Sequence, residues 1–274
     1  MLNAPSQYLV RCLDPVHIGS GGYRLGRVDM SIVREPATGI PKIPGTSLAG
    51  AIRAYAEMAK AEDASLPDVN VVFGNSEGQN ARQGMLRFYD ADIVLFPVLS
   101  DQGTVWVSTA ERLRLCGFGN IPDSNNENAA TPLKGLPAIK PINLGWLLLP
   151  TNPSPDSAAL IIPEALSFVN RLVAVSDKIF HHLVNDHLEV RTSVKIDDAT
   201  GAAEAGALFT YEAIPRGTIL RLEIYIDRRR GIDCEPDKIH RMLTHCFTGL
   251  KLLGVGGMGT RGFGRVEVLN GVIR

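Results

Sequence analysis

Six glycines crowd the eleven residues from Gly254 to Gly264, with Met258, Arg261 and Phe263 among them. A stretch this rich in glycine gives up much backbone entropy on folding, and suits a chain that needs positive φ or must admit another molecule to its amides. The amides of Gly256, Gly257, Met258 and Gly259, with Arg261 beside them and Arg265 just beyond, are therefore candidate phosphate contacts. Gly254, Gly256 and Gly259 also fit the spacing of a dinucleotide fingerprint, but that fingerprint works only between a strand and the helix that follows it. Here Ile239, Met242, Leu243, Cys246, Phe247, Leu250 and Leu253 mark a preceding helix opened by Pro236, and Arg265–Val268 alternates like a following strand. The order argues against a nicotinamide enzyme. A long connection without a ligand remains the bland alternative.

A second glycine cluster, Asp14 to Gly22, carries His17, whose ring suits general acid/base work or a ligand contact as well as plain packing. It leads to a short alternating segment, Arg27–Arg34, that contains Asp29; a carboxylate in such a loop can also simply cap local amides. Next comes Ile40–Ser47, where two prolines force an extended path and Thr46 or Ser47 can cap a helix striped by Leu48, Ile52, Tyr55, Ala56 and Ala59. The free amides of such a helix start, Ser47 among them, form a ready phosphate site, to which Lys42 and Arg53 can add charge.

Other chemistries find little support. Cys12, Cys116, Cys234 and Cys246 stand too far apart for a zinc site, and His181, His182 and His187 make no His-x-x-x-His pair. A Gly-x-Ser-x-Gly elbow is absent.

Length and composition fit an ordinary globular chain. Its 274 residues are 45% hydrophobic and 21% charged, with no apolar run near the ~20 residues of a membrane span and no signal-peptide core at the start. A cytoplasmic protein without membrane partners is expected. The net charge of −1 hides an asymmetry: +3 over residues 1–60, −7 over 61–190 and +3 over 191–274. Basic ends around an acidic middle suit one polyanion-binding face.

The elements that must position these residues read as follows. Tyr8–Leu13 is a strand; Gly84–Leu95 and Thr104–Thr109 form a strand pair; and residues 117–155 keep no period, as in a long insertion. Leu172–Val175 is a short strand before a segment capped by Ser176 or Asp177. Arg191–Ile196 and Ala207–Ile214 flank a strong turn at 197–201, a protruding hairpin on which Arg191 and Lys195 are phosphate candidates and Phe209 and Tyr211 can wedge against bases or pack. Ile219–Ile226 alternates as a half-buried strand, and Arg228–Arg230 reads as a solvated charge run. Two helices and antiparallel hairpins on one sheet predict an α+β fold with a ferredoxin-like or RRM-like core and large insertions. Aromatic residues are only 6% of the chain, which speaks against broad base stacking.

With the motifs placed, the chain resembles the RAMP superfamily of CRISPR proteins, and most closely the backbone subunit of the type III-B (Cmr) RNA-targeting complex. Four stretches carry the likeness, in order from about Leu9 to Val268. His17-Ile18-Gly19-Ser20-Gly21 followed by Val28-Asp29 looks like the first loop, and Ile43 to Arg53, with Pro44-Gly45-Thr46-Ser47, like the helix start. Arg191–Pro215 is similar to the thumb hairpin, and Gly254–Gly264 to the glycine-rich loop. The family commonly has Lys where this chain has Ala49, so Lys42 or Arg53 would have to compensate.

The resemblance implies a single RAMP domain over 1–274: a palm core at about 8–110 and 216–270, an insertion at about 117–170, and a thumb hairpin at about 190–215. It implies stacking of copies head to tail along a CRISPR guide RNA, with other Cmr subunits, and a complementary target RNA cleaved at regular intervals. Asp29 falls where the family's carboxylate for target cleavage falls. Beside a displaced nucleotide it could recruit Mg²⁺ or another divalent cation, weakly held and completed by RNA phosphate, or orient the ribose 2′-OH. His17 is the second catalytic candidate. A non-catalytic RNA-binding scaffold of the same superfamily, and a stand-alone guide-processing endoribonuclease using His17, are the alternatives.

Overall fold

A computed structural model describes residues 4–21, 28–75, 81–119, 121, 123, 126–137, 140–153, 160–194, 208–230 and 234–273. Lys195, the 197–201 turn and Arg27 lie outside them. The chain opens with β1 (Ser6–Cys12), reaches β2 (Lys42–Ile43), and enters α1 (Gly45–Glu62) and α2 (Val69–Phe73). Short strands β3 (Gly74–Asn75), β4 (Arg82–Gln83) and β5 (Leu86–Phe88) lead to the long hairpin β6 (Ala91–Ser100) and β7 (Gly103–Ser108), then α3 (Ala110–Leu115). After β8 (Thr131–Lys134), β9 (Ile142–Leu144), β10 (Leu147–Leu149) and β11 (Leu172–Ala174) come α4 (Asp177–Asp186) and the hairpin β12 (Glu189–Ser193) with β13 (Phe209–Ala213). The chain closes through β14 (Ile219–Ile226), α5 (Pro236–Leu252) and β15 (Val266–Ile273).

The main sheet runs β15-β1-β14-β6-β7-β11-β8. Its first four strands are all antiparallel to their neighbours and are joined by α1 and α5, which is the ferredoxin-like order the composition of elements predicts. Period-two patterning explains the layers. Tyr8, Val10 and Cys12 of β1, with Leu220, Leu222 and Ile224 of β14, point into the core beneath the helices, while Leu9 and Ile219 point the other way. That second face is covered by Leu113, Phe118, Ile121, Leu166 and Leu172. The segment read as an insertion therefore supplies Phe118, Ile121 and Leu166 to this second core, and its β8 extends the sheet by pairing with β11, which itself runs parallel to β7.

Three expectations need correction. Gly84–Leu95 is not one strand: β5 and β6 are separated at Tyr89–Asp90, where the Asp90 carboxylate takes the Gly45 amide at 2.8 Å. Residues 117–155 are not without structure; they contain β8, β9 and β10, each too short to show a period. Neither Thr46 nor Ser47 caps α1: the N-cap is Pro44, whose carbonyl accepts from Ser47 and Leu48.

Candidate functional site: a seam of three loops

The β1–β2 connection, the glycine loop after α5 and the hairpin strand β13 meet in one seam. The His17 carbonyl accepts from the Gly257 amide at 2.9 Å, and Gly264 donates to Pro15 at 2.9 Å. Gly256 has φ +89°, and a Cβ there would come within 2.5 Å of both the His17 carbonyl oxygen and Ile18 Cδ1. Only glycine lets these loops close on each other. Met258 takes the left-handed conformation at φ 64°, a strained state for a side chain of its size and the only such non-glycine among the described residues. Tyr211, Ala213 and Phe263 form a small buried cluster with Met30, Phe209 and Met258 packed against it, so hairpin, glycine loop and Asp29 segment share one apolar anchor.

Asp29 stands exposed on this seam. Its Oδ2 accepts from the Thr210 amide at 2.7 Å and the Thr210 hydroxyl at 2.8 Å, and these bonds hold its carboxyl below the usual carboxylate range. The carboxylate thus caps an amide 181 residues away as well as its own, and Oδ1 takes no bond from any other described residue. Met30 and β13 exchange backbone bonds on either side, Met30 to Thr210 and Glu212 to Met30, which fixes the position of Asp29.

His17 is buried. Its Nδ1 lies 2.7 Å from the Glu212 carbonyl, so Nδ1 carries the proton and Nε2 is the acceptor in the neutral ring. The ring also meets Tyr211 edge-on with centroids 6.0 Å apart. The sequence missed Glu212, whose buried carboxylate accepts from Arg34 at 2.6 and 2.9 Å and from the Ile32 amide at 2.9 Å. Arg34 and Glu212 are 178 residues apart, and a lone charged residue inside the strand was the only signal available.

The cations divide into paired and unpaired. Arg265 is engaged by Asp14 at 2.6 and 3.1 Å, which keeps that carboxyl below its ordinary range. Arg191 pairs with Glu189 at 2.5 Å and lies over the Phe263 ring, 4.5 Å from its centroid. Arg261 is exposed over Phe209, at 5.7 Å, with no carboxylate partner among the described residues.

The start of α1 does not join the seam. Lys42 sits between Glu35 and Asp90, 2.6 Å from each, and both hydrogen bonds hold its ammonium charged. Arg53 donates to Glu57, the Gly74 carbonyl and Asn70. A Cβ on Gly45 would collide with the Phe88 carbonyl oxygen, so this glycine serves close packing on the β5–β6 junction. Helix α1 touches the glycine loop about three turns further along, where the Tyr55 hydroxyl donates to Gly254 O at 2.5 Å.

Among the described residues no group of three His, Cys, Asp or Glu side chains could hold a metal ion. Asp29 offers one oxygen that no other described residue engages, so the protein alone makes no cage, and a cation here would need ligands from bound RNA and water.

Comparison with known proteins agrees with this architecture. The profile described as the RAMP superfamily matches residues 9–267. The CRISPR system Cmr endoribonuclease Cmr4 of Pyrococcus furiosus is 28% identical, over 93% of this chain and 92% of its own length. The Cms endoribonuclease Csm3 of Streptococcus thermophilus is 32% identical over a shorter span, 30% of this chain and 41% of the relative. A type III-B Cmr-beta structure solved by cryo-EM with cognate target RNA contains a chain that superposes with TM-score 0.75 at 19% identity, covering 98% of this chain and 97% of that one. Oligomeric Cmr4 from P. furiosus superposes at 0.64 with 21% identity, over 97% and 98%. At these identities the structural likeness is one of fold, and with the profile spanning nearly its full length, this chain belongs to the RAMP superfamily.

Proposed function

We propose that this chain is the backbone subunit of a type III-B Cmr complex: copies stack along a guide RNA, and each copy cleaves the paired target RNA at Asp29. The observation that carries the reading is the seam itself, where an ionised, exposed Asp29 is held by Thr210 and shares an apolar anchor with the loop that carries the amides of Gly256, Met258 and Gly259, the Gly257 amide being taken by His17, and the Arg261 guanidinium, which has no carboxylate partner among the described residues. The glycine loop and Arg261 take the sugar-phosphate backbone while base pairing reads the sequence. Asp29 keeps Oδ2 on Thr210 and turns Oδ1 to the target strand, where it orients the ribose 2′-OH or a water for attack on the scissile phosphate. A divalent cation shared between Asp29 and that phosphate would neutralise the charge that builds on the phosphate oxygens. With Nδ1 committed to Glu212 and the ring buried, His17 serves to hold the loop rather than to move protons. That assignment disfavours a stand-alone processing enzyme built on His17.

The test is target cleavage by the assembled complex carrying Asp29→Ala. Lost cutting with guide binding intact supports the assignment, and undiminished cutting removes Asp29 from the mechanism and leaves the scaffold reading.

A further inference from the structure

Beyond the C-terminal end of β14 the chain builds a second basic surface. Asp227 is buried, its side chain only 4% exposed, yet it is surrounded by arginines. Oδ1 accepts from Arg229 Nε at 2.9 Å; Oδ2 accepts from Arg229 at 3.0 Å and from Arg230 Nε at 3.2 Å, with Arg87 4.0 Å away. These guanidiniums hold its carboxyl far below the ordinary range, so the anchor stays charged. Arg82 joins by donating to the Arg230 carbonyl at 2.6 Å, and Arg228 stands exposed beside them. Arg229 and Arg230 thus share one carboxylate, Arg87 stands next to it, and Arg82 and Arg228 flank the group. A solvated charge run would leave its side chains dispersed; here a buried acid gathers them, and the Arg229 side chain remains 71% exposed. Fixed guanidinium forks with outward N–H groups match phosphate oxygens. Tyr225, opposite Arg87 in the β5–β14 register, adds an aromatic ring near the same edge.

The position matters as much as the charge. The seam gathers where β1 ends and β15 begins, at the level of Ile219, the first residue of β14, whereas Asp227 follows its last residue, Ile226. Eight strand residues separate the two ends, about 26 Å.

We propose that Arg82, Arg87, Arg228, Arg229 and Arg230 form a second RNA-backbone contact, distinct from the Asp29 seam, that grips the strand as it passes from one copy to the next. This rests on the reading of the chain as a stacked, RNA-bound subunit. A stack that runs along β14 would set the arginine end of one copy against the seam end of its neighbour, so that one strand could engage both.

The experiment measures binding of the full chain to a single-stranded RNA of about 40 nucleotides across a salt series, with self-association followed in parallel. Replacing Arg228, Arg229 and Arg230 together with Ala should weaken binding about tenfold near 0.15 M salt and lower the slope of log K against log salt by about 2, at ~0.7 per phosphate contact on a single strand. Because that change strips partners from buried Asp227, Arg228→Glu is the second variant: it touches no Asp227 bond and should lower the slope by about 0.7. Wild-type affinity and slope in both variants would overturn this inference alone. Variants that bind RNA normally but no longer self-associate would overturn it by assigning the patch to a protein neighbour. A wild-type chain that binds no RNA would overturn the functional reading as well.

Discussion

Two regions of this molecule read alike in sequence and differ in structure. The glycine loop at 254–264 and the Pro44-Gly45-Thr46-Ser47 helix start both promise exposed amides with a cation nearby. In the first, glycine lets two loops close on each other, Arg261 stays unpaired among the described residues, and Asp29 is presented to solvent. In the second, Asp90 fills the first amide, Lys42 is neutralised by two carboxylates, and Arg53 is spent on Glu57, Asn70 and a carbonyl. A helix start or a glycine run becomes a binding site only if the fold leaves its donors unpaired. Sequence can identify the donors, but the partners that silence them come from elsewhere in the chain.

The largest expected effect lies in the seam. Asp29→Ala should slow target cleavage by about 100-fold or more in the assembled complex while guide affinity changes by less than about twofold, read by single-turnover cleavage and filter binding. A matching loss from Lys42→Ala would erase the contrast between the two regions.

Glycine-to-alanine changes sharpen it next. Gly256→Ala should destabilise the chain by about 2 kcal/mol, because the new Cβ meets the His17 carbonyl at positive φ; Gly50→Ala, in the exposed middle of α1 with open space around it, should stabilise by about 0.5–1 kcal/mol. Thermal unfolding of the two variants reads the opposite signs directly.

Charge changes come third. Arg261→Ala should weaken RNA binding about threefold and lower the salt slope by about 0.7. Lys42→Ala should leave both unchanged and instead lower stability by about 1 kcal/mol, since it leaves Glu35 and Asp90 facing each other without their cation.

The smallest effect is in pH. Asp29 has its carboxyl held below the usual range by Thr210, so its ionised form is fully present above about pH 4 and is lost only as pH falls through the lowered value. Cleavage should show no inflection between pH 5 and 7 arising from Asp29, and Thr210→Val should move the acid limb upward.

What the sequence made legible was local or strictly periodic. Pro236 at the first turn of α5 and Gly254 just past its end bounded that helix, Ser176 capped α4 through the Ile179 amide, and the alternation of Leu220, Leu222 and Ile224 marked β14 as a half-buried strand. Asp29 was found through its neighbours in the family motif; its bond to Thr210 was not, since the two meet only because β13 returns across 181 residues. For the same reason the Arg34–Glu212 pair and the silencing of Lys42 by Asp90 stayed hidden. The break at Tyr89–Asp90 escaped notice because the apolar pattern on either side continues, and the reason for the break, the amide of Gly45, is a tertiary contact. Leu253 fits the apolar stripe of α5 yet is exposed, because the helix is already closing into the glycine loop.

Hydrogen exchange of the full chain with and without guide RNA tests the central claim most directly. The account predicts slowed exchange across residues 14–19, 209–213 and 254–264 on RNA binding, with residues 45–48 at the start of α1 unchanged. Protection of the α1 start with an unprotected glycine loop would contradict it.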